Sequence, residues 1–153
     1  MKKKNNVPAV DIVDFMVNGS DLNSICINDP IAKVISLMGK PVEIVGDEKA
    51  GFFHYHNGLR YGYFGNEVNE LAILFHETGK YSYRTSNQFN EEIIISGVMQ
   101  LHEFIYMLKS KEIKWECIKG RSISGLTLQI NNKTYVLFDL YNGYLDRISI
   151  SRM

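Results

Sequence analysis

Two stretches of the chain space their apolar residues at three and four positions. Ile31, Val34, Ile35 and Met38 fall on one helical face, and Leu101, Ile105 and Leu108 repeat the spacing with Phe104 beside them. Asp29-Pro30 reads as the start of the first helix. An Asp carboxylate accepts from the free amides of a first turn, and Pro suits the first helical position. Gly39-Lys40-Pro41 reads as its stop, because Gly39 can take a left-handed cap. The second helix is predicted to run from about Gly97 to Ser110. Elsewhere the pattern alternates. Strands are predicted at 42–45, 52–56, 59–64 and 71–76, then at 113–118, 122–130, 134–140 and 145–150. Asn57-Gly58 is the strongest hairpin signal, since both turn positions need positive φ; Asn131-Asn132 and Asn142-Gly143 repeat the chemistry. Residues 9–17 fit helix or strand, 22–27 reads as short and extended, and the polar stretch 79–90 reads as a linker.

The same order of elements occurs twice. Asn57 to Phe64 matches Asn131 to Phe138 at an offset of seventy-four, which places Leu71 on Leu145 and Leu74 on Ile148. The helices match at an offset of seventy-one, with Val34 on Ile105 and Leu37 on Leu108. The predicted fold is α+β in a single domain over 1–153. It consists of two tandem helix-plus-antiparallel-meander units, at about 20–79 and 91–153, with the helices packed on one face of the sheet.

That alignment also assigns faces. Phe64, Leu74, Val136, Phe138 and Ile148 are expected in the core under the helices. Tyr61, Tyr63, Tyr135 and Leu137 fall on the reverse side, joined by Tyr55. A solvent-facing strip of tyrosines is a natural contact surface, because each ring offers large area at low entropy cost. The competing reading places these rings in a second minor core or under the N-terminal segment.

Composition adds limits. The 153 residues are 45% hydrophobic and 22% charged, enough for one core and unlike a fibre or a disordered tail. Seventeen basic residues balance seventeen acidic ones, so bulk attraction to nucleic acid or membrane is not expected. The distribution is uneven: from Asn5 to Gly79 four basic residues face ten acidic ones. Asp47, Glu48, Glu67 and Glu70 are therefore candidate contacts for a basic partner. No apolar run reaches the ~20 residues that span a bilayer, and no leader follows the basic start, so a cytoplasmic location is expected. Cys26 and Cys117 are expected to be reduced and buried.

No motif of known chemistry emerges. His54 and His56 lie two apart on a predicted strand and could chelate a metal with His76, but no Cys-x-x-Cys or His-Glu-x-x-His pattern supports them; no metal and no cofactor are expected. Neither cysteine has a nucleophile signature. The Gly58 to Gly65 stretch is a hairpin strand rather than a phosphate cradle. Lys109 to Arg121 is basic around Trp115 but broken by Glu112 and Glu116.

The run Ile27-Asn28-Asp29-Pro30-Ile31-Ala32-Lys33-Val34-Ile35-Ser36-Leu37-Met38-Gly39-Lys40-Pro41 resembles the helix-to-Gly-x-Pro opening of small bacterial immunity proteins, as does the continuation from Tyr55 to Phe64. These proteins serve polymorphic-toxin and contact-dependent growth-inhibition systems. The tandem layout is also similar to that of β-lactamase inhibitor proteins, which bind an enzyme across a sheet. The resemblance implies a non-enzymatic cytoplasmic protein that neutralises a cognate protein toxin by direct contact. Tyr55, Tyr61, Tyr63 and Tyr135 are then the expected aromatic contacts, beside the four carboxylates. Two alternatives stand: a small-molecule-binding or enzymatic domain with a pocket between helices and sheet, and a protein that dimerises through its tyrosine face.

Overall fold

The structure, a computed structural model, describes residues 10–75, 82–87, 89–119 and 124–152. It is α+β, as expected. Among the described residues three helices, α1 (Ile12–Asn18), α2 (Ile31–Met38) and α3 (Leu101–Ser110), accompany ten strands: β1 (Glu43–Gly46), β2 (Ala50–His54), β3 (Leu59–Phe64), β4 (Glu67–Leu74), β5 (Ser82–Ser86), β6 (Glu92–Ser96), β7 (Trp115–Ile118), β8 (Gly125–Ile130), β9 (Thr134–Asp139) and β10 (Leu145–Ser151). Eight strands form one antiparallel sheet in the order β1-β2-β3-β4-β10-β9-β8-β7, and β5 pairs with β6 separately. The two meanders meet where β4 pairs with β10, Ile73 opposite Ile148 and Leu71 opposite Ile150.

Two of the three predicted turns have positive φ at both positions, whereas at Asn142-Gly143 only the Gly does. Asn57 and Gly58 have φ of 62° and 74°, and Asn131 and Asn132 have φ of 49° and 58°. Gly39 likewise closes α2 at φ 78°, its N–H donating to Ile35 O. Asp29, however, does not cap α2. Its carboxylate accepts from Cys26 N and Lys33 Nζ, both at 2.8 Å, which holds it below the usual carboxylate range, the Lys33 bond first. The first amide of α2 is satisfied from the sheet instead: Ile31 N–H donates to Asn66 O at 2.9 Å, and Pro30 bridges Glu67. At α3 Gln100 and Glu103 form a capping box, and Gln100 bridges Tyr144. Each of these helix starts is thus tied to the beginning of a central strand.

The polar stretch read as a linker contains β5. Its register with the Ile93–Ile95 run supplies the apolar contacts that its own sequence lacks, and Tyr83 anchors it, ring against Phe75 and hydroxyl donating to Asn57 O at 2.7 Å. The ambiguous segment at 9–17 is largely α1. Asp11 caps it by accepting from Asp14 N at 3.0 Å, and its last carbonyls are met from the far half of the chain. Thr134 Oγ1 donates to Met16 O at 2.7 Å and Asn131 Nδ2 to Val17 O at 3.2 Å.

Register divides the large sheet cleanly. Ile12, Phe15 and Met16 of α1, Val34 of α2, and Phe104, Met107 and Leu108 of α3 share one buried cluster with Phe53, Tyr61, Leu71, Ile73, Ile148, Val136 and Leu128. Every sheet residue of that cluster lies on the same face by pairing and alternation. This corrects the predicted faces. Tyr61 and Tyr63 are core residues, Leu74 lies on the second face, and Phe64 also lies there and is 71% exposed. The cause is a one-residue slip, which turns every side chain of a strand over. Tyr61 pairs with Leu71 as Val136 pairs with Ile148, so the core-facing ranks of β3 and β9 match at an offset of seventy-five (61 to 136), not seventy-four. The bulges at Asn69 in β4 and Asp146 in β10 fall at matching places and leave the offset unchanged; a β9–β10 turn longer than the β3–β4 turn raises it further in those strands, to seventy-seven (71 to 148).

Candidate binding face

The three tyrosines expected at the surface of the first half are structural. Tyr61 is 1% exposed, and Tyr55 and Tyr63 are buried beside it. Each hydroxyl reaches out of the core to a backbone carbonyl. Tyr61 donates to Leu22 O at 3.1 Å, Tyr55 to Gly39 O at 2.9 Å and Tyr63 to Asp47 O at 2.6 Å. They therefore pin the 22–25 bridge, the end of α2 and the β1–β2 turn onto the sheet. Sealed rings offer no surface to a partner, so the solvent-facing tyrosine strip is not there; of the four, only Tyr135 lies on the second face, half-buried.

Burial pushes the Tyr61 phenol well above its ordinary value and the Tyr55 phenol up to about 12. The sign follows from the neutral form being the one that is folded. An unfolded phenol ionises near pH 10, so the stability these groups contribute is intact below that and is lost as pH rises towards the folded values. We expect the denaturation midpoint to fall steeply above about pH 10 and the fall to shrink in Tyr55→Phe. A midpoint flat to pH 12 would contradict it.

The four candidate carboxylates do not form one patch. Asp47 sits in the β1–β2 turn and accepts from Lys49 N and Ala50 N at 2.8 and 3.1 Å, with Glu48 exposed beside it. Glu67 lies at the start of β4, 3.3 Å from Arg152. Only Glu70 lies in the middle of the second face.

That second face is where a site is built. One row of cross-strand neighbours runs through all eight strands: Glu43, His54, Arg60, Ala72, Ser149, Tyr135, Gln129 and Glu116. Arg60 donates from Nε and Nη2 to Glu70 Oε1, at 2.8 and 2.5 Å, and its guanidinium stacks over Phe52 at 4.4 Å. Gln129 Nε2 donates to the Tyr135 hydroxyl at 3.3 Å. Small residues line the middle, with Ala72, Ser149 and Thr127 low between longer neighbours. The result is a hollow of about 300 Å³, bounded by Glu70, Tyr135, Leu137 and Arg147 and floored by Thr127, Ser149 and Ser151.

Sequence reasoning named Tyr135, Leu137 and Glu70 of this face and missed Phe52, Arg60 and Arg147. Its own signal was available, since Arg60 and Arg147 are mid-strand cations, which alternation sets opposite to a buried face. His54 lies on this face too, whereas His56 is in the turn after β2, so the pair does not share a strand face. His76 lies outside the described residues. Among the described residues no group of three His, Cys, Asp or Glu could hold a metal ion. Both cysteines are free thiols; Cys26 is half-buried, but Cys117 is exposed, contrary to expectation, because β7 is an edge strand. A second hollow, about 330 Å³ between α1 and α2, carries Asp11, Asp14 and Asp21, two of which cap local backbone amides. Among the described residues no helix is long and apolar enough to cross a membrane. No protein-family model matches the chain, and no curated protein and no solved structure matches it either.

Proposed function

We propose that the chain is a non-enzymatic cytoplasmic binding protein of the immunity type, which neutralises a protein toxin by docking it on the second face of the eight-stranded sheet. The supporting observation is the division of the sheet. Its buried cluster takes side chains from one face only, and the other carries half-buried Phe52, Arg60, Tyr135, Leu137 and Arg147 at its centre. Aromatic and Arg side chains at the middle of a patch are the usual anchors of a protein interface. A standard interface takes roughly 800 Å² from each partner, which an eight-stranded face can provide. In this reading the chain is two helix-plus-meander units joined at β4 and β10, with the helices covering the reverse side. The palindromic strand order, the matching bulges and the two helix-start bridges favour it.

Growth rescue tests the proposal. The toxin to use is the short variable C-terminal domain of a secreted protein encoded immediately upstream, and finding no such gene there would count against the proposal. Wild-type chain should restore growth to cells making that domain. A variant carrying Arg60→Ala, Tyr135→Ala and Leu137→Glu should not, through a loss of binding of a few kcal/mol or more. Its melting profile checks that it folds. Full rescue by the folded variant would remove the second face from consideration.

A further inference from the structure

Arg147 is placed as a cation waiting for a counter-ion. On the second face it stands opposite Leu74 of β4 and Leu137 of β9, both apolar, so neither cross-strand neighbour can pair with it. Its Nε is buried and has no hydrogen-bond partner, and among the described residues Arg147 forms no ion pair. The carboxylate that shares its hollow, Glu70, is already held by two bonds from Arg60. A half-buried guanidinium without an acidic partner is costly, and an anion that pairs with its terminal nitrogens on binding supplies what the free protein lacks. The short side chains Ser149, Ser151 and Thr127 leave the space beside it open, about 300 Å³.

We propose that this hollow is a carboxylate subsite, in which an Asp or Glu side chain of the bound protein lies against Arg147. This rests on the second face being the docking surface and names the chemistry of the partner there. A planar carboxylate matches the planar fork of a guanidinium, and because the buried Nε is out of reach the two terminal nitrogens would donate side by side. A phosphate dianion fits less well, because Glu70 lies at the rim and Arg147 alone would have to neutralise it. The partner is thus acidic at this point, whatever its charge elsewhere. The acidic excess of the first half does not argue otherwise, since Asp29, Glu67 and Glu70 are paired to Lys33, Arg152 and Arg60.

The test needs no toxin. The ¹⁵N-labelled protein is titrated with sodium acetate, with sodium chloride at equal ionic strength, and with inorganic phosphate, following the arginine Nε–H resonances and the Ser149 and Ser151 amides. Acetate should give a saturable shift of one arginine resonance and of both amides that chloride does not reproduce, and Arg147→Lys should abolish it. No shift, an equal response to chloride, or saturation by phosphate at lower concentration than by acetate would each overturn the assignment. The wild-type titration decides the matter even if the Lys variant does not fold. Saturable acetate binding beside failed growth rescue would refute the toxin reading alone; intact rescue without acetate binding would refute this subsite alone.

Discussion

Tyr61→Ala should lower the unfolding free energy by about 3–5 kcal/mol, the cost of truncating a large buried aromatic. Tyr61 is among the largest fully buried side chains; it pairs across strands with Phe53 and Leu71 and meets the Tyr55 ring edge-on at 5.8 Å. Truncation also removes one of the two bonds that Leu22 O accepts, leaving it the one from Ile25 N and freeing the 22–25 bridge from the sheet. Tyr61→Phe separates the two contributions: it keeps the ring and should cost only about 1 kcal/mol, that of one neutral hydrogen bond. Urea titration measures both. A domain of this size has of the order of 5–15 kcal/mol in hand, so the Ala variant is expected to be partly unfolded at growth temperature. An Ala variant within about 1 kcal/mol of wild type would return Tyr61 to the surface, where the sequence alignment had put it.

Gly58→Val is expected to be comparably damaging for a backbone reason. Gly58 has φ 74°, and a Cβ built on it would lie 2.2 Å from Leu74 O and 3.2 Å from the Leu74 carbonyl carbon. Positive φ alone costs a residue with a side chain about 1–3 kcal/mol, more for a β-branched one. The collision adds to that, because the obstacle is backbone of a central strand and cannot swing aside. Gly143 is the control: its φ is 76°, yet nothing lies within 4 Å of its would-be Cβ. Gly143→Val should therefore show the conformational cost alone, and the difference between the two unfolding free energies reports the approach of the Asn57-Gly58 turn to β4. Equal losses would mean that the turn relaxes away from the strand.

Local signals carried much of the architecture and none of the sidedness. The alternation over 59–64 and the Asn57-Gly58 and Asn131-Asn132 turns are chemistry that acts within a few residues, and the structure places β3 and both turns where that chemistry puts them. Which face is inside depends on parity, and parity was lost because matching Asn57 to Asn131 set the two stretches one residue out of the register that strand pairing gives, 61 to 136. Strand β5 was hidden for a related reason: Ser82-Tyr83-Arg84-Thr85-Ser86 has no apolar stripe of its own and is fixed by Ile93–Ile95 and Phe75. Asp29 was read as a cap because the local rule fits it, whereas a β3–β4 turn carbonyl took that position from across the fold. The candidate site suffered most. With the faces exchanged, core phenols stood in for contact residues, and the cations of the true second face, Arg60 and Arg147, went unremarked.

The hydroxyl of Thr134 and the amide of Asn131 close the last turn of α1 from 118 and 114 positions away. A nascent chain leaving the ribosome cannot make those bonds until residues 131–134 have been translated. The N-terminal helix, seven residues long and too short to persist unaided, must then wait for the opposite meander before it can settle. Hydrogen bonds that tie this helix to residues more than a hundred positions away raise the mean sequence separation of contacts, which slows folding and makes the helix depend on the far meander.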